Sequence, residues 1–390
     1  MAFTENYPDM PKKILIIGML NSVHFANWLE RISSLDAEIL LFPSRQYRDL
    51  HPKIKKIVSQ GNSIKVIKLL PIQRFSVFLE FALETRWLKY FNFYSRKARL
   101  SRILRKKKFD KIHAIEIQHA GYLLKDALPN DILFENIIVT NWGSDIYYFS
   151  QFPEDAQKIQ ECLKMANFYS AECTRDYKLA KEYGFKGVEL PVVPNSTTFT
   201  KDYFEKQSPL SRDRNQLMMK CYGGIFGLGE LLLQVADNTL RHNDQFSIYA
   251  YSVTSEILPI AEEIRRKYPT RFKFSTVASP ITHRMIIDEF TKSRLYVGAS
   301  KSDGISTSFL EALAAGTFPI QTSTSCASEW IESGARGIIV EPSYKDIQFA
   351  IDNVLNDVKT LEDAQRENFL IAKSRLSFET IYEVTKSFYL

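Results

Sequence analysis

The sequence predicts an α/β protein of two doubly wound, Rossmann-like parallel-sheet domains facing each other across a cleft. Three observations lead there. Buried-strand patterns alternate with helical ones along most of the chain, an order that produces parallel sheets covered by helices. The alternation lapses at Pro191-Val192-Val193-Pro194-Asn195 and through the polar stretch 201–215, then resumes. At 390 residues the chain is too long for one ordinary core, and two domains of roughly 190 residues each are the natural division.

The first domain, residues 1–200, opens with Lys13 to Gly18 as a strand and Val23 to Leu35 as a helix. Strands follow at Ala37 to Phe42, Ser63 to Leu70, Lys111 to Ile117 and Asn136 to Thr140, with helices between most of them. The turn Gly18-Met19-Leu20-Asn21-Ser22 lacks GxGxxG, which argues against a dinucleotide-binding dehydrogenase. After a linker at 201–215, the second domain, 216–376, starts a new series. Its strands are Leu217 to Tyr222, Phe246 to Tyr251, Phe272 to Thr276, Leu295 to Ala299, Phe318 to Thr322 and Gly337 to Val340. No repeat or low-complexity tract interrupts the pattern.

Hydrophobic content of 45% with 25% charged residues is ordinary for a globular chain. Cys162, Cys173, Cys221 and Cys326 show neither CxxC spacing nor close pairing, which suits a reducing cytoplasm. The first residues lack a basic segment followed by an apolar one, and no window reaches the ~18 apolar residues of a membrane span. The expectation is a cytoplasmic protein, neither secreted by a standard signal nor integral to a membrane.

Residues 300 to 316, Ser-Lys-Ser-Asp-Gly-Ile-Ser-Thr-Ser-Phe-Leu-Glu-Ala-Leu-Ala-Ala-Gly, carry the chemistry. They join the strand at Leu295 to a helix on which Phe309, Leu310, Leu313 and Ala314 recur at helical spacing, closed by Gly316. The N–H groups of Gly304, Ile305, Ser306, Thr307 and Ser308 then open an anion site at the carboxyl end of a sheet. Asp303 and Glu311 flank it, with seven residues between them. A diphosphate there leaves a sugar within reach of Asp303 and a ribose within reach of Glu311. The competing reading is a plain strand-to-helix turn capped by Ser306 or Ser308, with Glu311 solvated.

This segment resembles the signature of the family-four retaining glycosyltransferases of GT-B fold, of the bacterial surface-polysaccharide type, in which two acids bracket seven residues. Asp303 stands for the usual first Glu, one methylene shorter. The match runs on through Gly316, Thr317, Pro319 and the run Thr322 to Trp330, which in the family closes over the donor. The resemblance implies a donor-holding second domain, an acceptor-binding first domain, and a last helix, 377–390, that crosses back to the first. It also implies that Lys220, Gly223 and Gly224 of the loop Lys220 to Gly229 lie against the donor phosphates. Leu228 stands where a basic residue is common, so Lys301 and the helix start would carry more of the diphosphate charge.

In the first domain, His113-Ala114-Ile115-Glu116-Ile117-Gln118-His119 follows a strand and resembles the family stretch that carries a His near the anomeric carbon, but Ile115 occupies that position. Glu116, Gln118 and His119 remain candidates. His119 is equally readable as a pocket residue or a structural one, and His113, inside the strand, as structural. Asn141-Trp142-Gly143-Ser144-Asp145 resembles the second active-site loop, with Trp142 where His often precedes Gly; Asp145 orients a sugar hydroxyl or caps a helix. Asn21, Glu116, Gln118, Trp142 and Asp145 are the acceptor-side candidates, and Asp303, Glu311 and His119 the catalytic ones.

Charge adds a second clue. From His51 to Lys111 there are 17 Lys and Arg against three acids, net +14 in a chain of +6. The stretch includes the aromatic-rich run Phe75 to Tyr90, then Arg96-Lys97 and Arg105-Lys106-Lys107-Lys108. Basic residues interleaved with aromatics suit an anionic bilayer surface, a solvated helix face, or nucleic acid. The membrane reading fits a lipid-linked acceptor, and no nucleic acid is expected. The expected protein is a retaining, metal-independent and cofactor-free glycosyltransferase of surface-glycan synthesis. It would move a sugar from a nucleotide sugar to a saccharide or lipid-linked acceptor on the inner face of the plasma membrane. The alternatives are a sugar-nucleotide epimerase of the same fold and a catalytically degenerate scaffold.

Overall fold

The computed structural model describes residues 11–61, 63–67, 86–195, 199–206 and 214–390, with no side chains described for 86–91. The aromatic run 75–85 lies outside the described residues, as do the last residues of the strand expected at 63–70.

The first sheet has seven strands: β1 (Lys12–Gly18), β2 (Ala37–Pro43), β3 (Ile64–Val66), β4 (Lys111–Ile115), β5 (Ile137–Thr140), β6 (Phe168–Ser170) and β7 (Val188–Glu189). Their spatial order is β3-β2-β1-β4-β5-β6-β7, and every pairing is parallel. The second sheet has six: β8 (Gln216–Lys220), β9 (Ser247–Val253), β10 (Phe272–Thr276), β11 (Ser293–Gly298), β12 (Phe318–Thr322) and β13 (Ile338–Val340). Its order is β10-β9-β8-β11-β12-β13, also parallel throughout.

Side chains of period two bury both faces of each sheet. In the second sheet Leu217, Met219, Ile248, Ala250, Leu295 and Val297 pack with Leu232, Leu233, Ile264, Ile347 and Ile351 of the helices on one face. Met218, Tyr249, Tyr251 and Tyr296 alternate with them and pack with Phe290, Phe309, Leu313 and Phe369 on the other. In the first sheet Leu15 and Ile17 meet Leu100, Leu104, Leu123, Leu124 and Leu163. Each sheet reverses its winding once, between β1 and β4 and between β8 and β11. The carboxyl ends of those strand pairs are the two places where such a sheet leaves a crevice for a ligand.

Two compact units result. One comprises residues 1–171, 176–196 and 382–390, and the other 172–175 and 197–381. The boundaries differ from the expected ones for local reasons. The stretch 201–215 is not all linker, because Lys201–Lys206 is a helix whose Phe204 is buried against Phe199, Tyr203 and Phe369. Residues 172–175 leave β6 and group with the second unit. The helix Phe378–Ser387 begins in the second unit, and only its later part groups with the first. Tyr389 ends buried in the first unit, where its hydroxyl lies 3.0 Å from Trp28 Nε1 and 2.7 Å from His113 Nδ1. β6 and β7, of three and two residues, are strands beyond those expected from the sequence.

Candidate functional site

At the reversal point of the second sheet, β8 runs into the loop 221–228 and β11 into the turn 299–306. Backbone contacts fasten the two together: Gly227 bridges Ser300, and the Lys301 N–H donates to Phe226 O at 2.8 Å. A side chain at Gly227 would collide with the Tyr222 and Gly223 carbonyls, and Gly224 has φ +76°, so the glycines here answer to close approach and a left-handed turn. The turn is fastened on its other side by the Asp303 N–H to Thr324 O (3.2 Å) and the Cys326 N–H to Gly304 O (2.7 Å).

The turn feeds the helix Thr307–Ala314, every residue of which from Ser308 onward is buried, and Gly316 at φ 68° ends it. Ser306 occupies the position before the helix, yet its hydroxyl makes no capping hydrogen bond, unlike the capped-turn alternative. The partial positive charge of the helix start is thus not neutralised by a Ser306 cap. Ile305 is buried and anchors the turn, while the Lys301 side chain is exposed. Burial pushes the Asp303 carboxyl above its ordinary range, and Lys220 and Arg175 pull it partly back. Arg175, which sequence reasoning missed, donates to Asp303 O at 2.9 Å. Its backbone N–H and that of Thr174 both donate to the Glu329 carboxylate (3.1 and 2.9 Å). Tyr222 and Tyr296 have hydroxyls raised by burial and so stay neutral. Glu311 is not solvated: its side chain is 5% exposed, and its Oε1 lies 2.6 Å from His283 Nε2.

At the reversal point of the first sheet the arrangement differs. β4 stops at Ile115, two residues short of the expected end, because Glu116 takes φ 74°, a conformation costly for a residue with a Cβ. Its carboxylate then accepts the N–H groups of His119 (2.8 Å) and Ala120 (2.6 Å) at the start of the π-helix Ile117–Gly121. His119 Nδ1 lies 3.0 Å from the same carboxylate. Asp145 Oδ2 accepts the N–H groups of Ile117 (2.9 Å) and Trp142 (3.0 Å), and Gln118 donates to Asp145 O at 2.7 Å. Burial, with Glu116 beside it, pushes the Asp145 carboxyl well up, toward a protonated acid at neutral pH. The Trp142 ring packs edge-on to His24 at 5.6 Å, which brings the loop after β5 beside the helix that follows β1. Asn21 lies exposed in the turn between β1 and that helix. Ile115 is fully buried, and His113 is held between Tyr389 and Thr140 with burial driving its pKa down to about 3. Glu116, Gln118, His119, Trp142 and Asp145 therefore form one cluster, and His113 lies in the core beneath it.

Two family models match. One described as glycosyl transferases group 1 covers residues 276–369, including the whole Asp303 to Glu311 segment, and one described as glycosyl transferase 4-like covers 13–174. Among solved structures, Anabaena HepE in complex with UDP-glucose is 13% identical over 96% of this chain and 98% of that one, with a TM-score of 0.67. Sucrose-phosphate synthase from Thermosynechococcus elongatus is 11% identical over 97% and 98%, with a TM-score of 0.69. A glycosyltransferase from Rickettsia africae is 14% identical over 97% and 98%, with a TM-score of 0.64. At these identities the likeness establishes the fold. No curated protein matches in sequence.

Proposed function

We propose that the chain, matched by the group 1 model over residues 276–369 and the 4-like model over 13–174, is a GT-B glycosyltransferase that transfers a sugar, with retention, from a nucleotide-diphosphate donor to a saccharide acceptor in surface-glycan synthesis. The observation that carries this reading is the helix start at Thr307, lacking a Ser306 cap, with Asp303 before it and the buried Glu311 inside it. The UDP-glucose held by the HepE structure of like fold supports a UDP-sugar as the first donor to try.

In this reading the diphosphate sits at the Gly304 to Ser308 amides, within reach of Lys220 and Lys301, which stabilise the charge that grows as the glycosidic oxygen leaves. Asp303 holds sugar hydroxyls and places the anomeric carbon under the acceptor. A leaving phosphate oxygen accepts the acceptor's proton, so no step calls for a metal. Glu116, Gln118, His119, Trp142 and Asp145, with Asn21, receive acceptor hydroxyls. Lys13, Lys65, Lys106, Lys107 and Lys108 line a hollow of about 380 Å³ beside Glu38, and these cations suit the headgroups of an anionic membrane, where a lipid-linked acceptor is found.

A thermal-shift screen of nucleotide sugars, followed by NMR of the product made with and without saccharide acceptors, tests the proposal. A new glycosidic bond of the donor's anomeric configuration supports it. A rearranged donor formed without acceptor marks an epimerase, and donor binding with no turnover across broad acceptor panels marks a scaffold; either result replaces it.

A further inference from the structure

We propose that His283 is a positioning residue of the nucleoside site: it holds Glu311 so that one carboxylate oxygen stays turned toward a ribose hydroxyl. This rests on the reading of Glu311 as the ribose-binding acid. On the helix Thr307–Ala314 every residue from Ser308 to Ala314 is buried and most are apolar, and the Tyr203 and Tyr251 hydroxyls near Glu311 make no hydrogen bond to it among the described residues. A carboxylate left unpaired in such a helix is costly. His283 meets that need with Nε2 2.6 Å from Oε1. It is the one hydrogen bond to the Glu311 carboxylate among the described residues, which leaves Oε2 for a ligand.

The approach of His283 is built in. It is the first residue of the helix His283–Lys292, which follows the carboxyl end of β10, and Thr282 fixes that start by accepting the Met285 N–H at 3.3 Å. The imidazole is 64% exposed while the carboxylate it holds is 5% exposed, so the pair joins a buried acid to a group at the surface. A hydrogen bond that fixes the carboxylate's rotation before the ligand arrives reduces the ordering left for binding to do.

Calorimetry on the full chain tests this. UDP, GDP, ADP and CDP are titrated first, and the tightest binder is then compared with its 2′-deoxy analogue and with inorganic pyrophosphate, which has no ribose. His283→Ala is expected to weaken the nucleoside diphosphate about three- to tenfold, the loss of one hydrogen bond, and to narrow the gap to the deoxy analogue. Pyrophosphate affinity and kcat at saturating donor should stay as in the wild type. His283→Gln, whose amide N–H replaces the imidazole donor, should restore nucleotide affinity. Unchanged or tighter nucleotide binding by His283→Ala overturns the proposal, as does an equal loss of pyrophosphate, which marks a general disturbance of the fold. Glu311→Gln separates the layers. If it weakens the nucleotide while His283→Ala does not, the ribose reading stands and the role of His283 falls. If it changes nothing, or no nucleotide binds the wild type, both fall.

Discussion

The two sheets are wound alike and place loops at the same kind of edge, yet they treat the helix start there in opposite ways. In the second unit Ser306 makes no capping bond at the helix start, and Lys220 and Arg175 lie close enough to act on Asp303. In the first unit two buried carboxylates have already taken the N–H groups: Glu116 those of His119 and Ala120, Asp145 those of Ile117 and Trp142. N–H groups at a helix start that no Ser306 cap has taken can attract an anion, whereas those already accepted by Glu116 and Asp145 are no longer offered to one. Under the proposed function, this contrast supports a charged donor in the second unit and a neutral saccharide in the first.

The largest expected effect breaks the comparison if it fails. Asp303→Asn should lower kcat by about 100-fold or more, the scale on which losing a transition-state contact shows, with donor affinity nearly kept. Steady-state kinetics check it, and a wild-type rate would remove Asp303 from the site. Lys220→Ala should raise the donor KM about tenfold, as for a lost charge-assisted hydrogen bond, and should leave the acceptor KM alone. EDTA should not alter the rate, and loss of activity restored by Mg²⁺ or Mn²⁺ would contradict the metal-free chemistry.

Asp145→Asn sharpens the first unit's side of the comparison through pH. Burial makes the folded chain hold the Asp145 proton more tightly than the unfolded chain, whose Asp titrates near ~3.9. Stability from this group is therefore present at low pH and is lost as pH rises past about 4 toward the raised folded value, with a slope of at most about 1.4 kcal/mol per pH unit. His113 runs the other way: buried neutral, it lowers stability as pH falls below its ordinary 6.5. The amide oxygen introduced by Asp145→Asn still accepts from Ile117 and Trp142, so urea melts of the variant should lose the decline that Asp145 causes as pH rises above about 4 and retain the loss that His113 causes as pH falls below 6.5. The smallest effect on the donor site comes from neutralising Arg105, Lys106, Lys107 and Lys108 together. Donor affinity should not move, while binding to phosphatidylglycerol vesicles at low salt should fall; no wild-type binding there would leave these cations as a solvated face. Arg105 should contribute least, being already paired with Asp131 at 2.7 Å.

Most of the sheet architecture was legible because long apolar strands announce themselves, and the Asp303 to Glu311 segment because a turn, a helix and two acids at fixed spacing lie within 17 residues. What stayed hidden depends on contacts between distant residues. Arg175 is 128 positions from Asp303, and His283 is 28 from Glu311. The signal for the second was present all the same: a Glu in an otherwise apolar helix must find a partner. The early end of β4 was illegible because Ile115-Glu116-Ile117 has perfect strand alternation, which the backbone turn at Glu116 overrides.

Tyr389 in the core of the first unit bears on how the chain is made. His113 must wait for a partner 276 residues further on. At about 5 to 20 residues per second, translation takes on the order of 14 to 55 s to supply it. During that interval the sheet of the first unit can pair, but the pocket around Trp28 and His113 stands open to water. The unit that begins first is therefore completed after the second has been synthesised, and a ribosome stalled between the two leaves a nascent chain whose earliest domain lacks Tyr389 and its hydrogen bonds to Trp28 and His113.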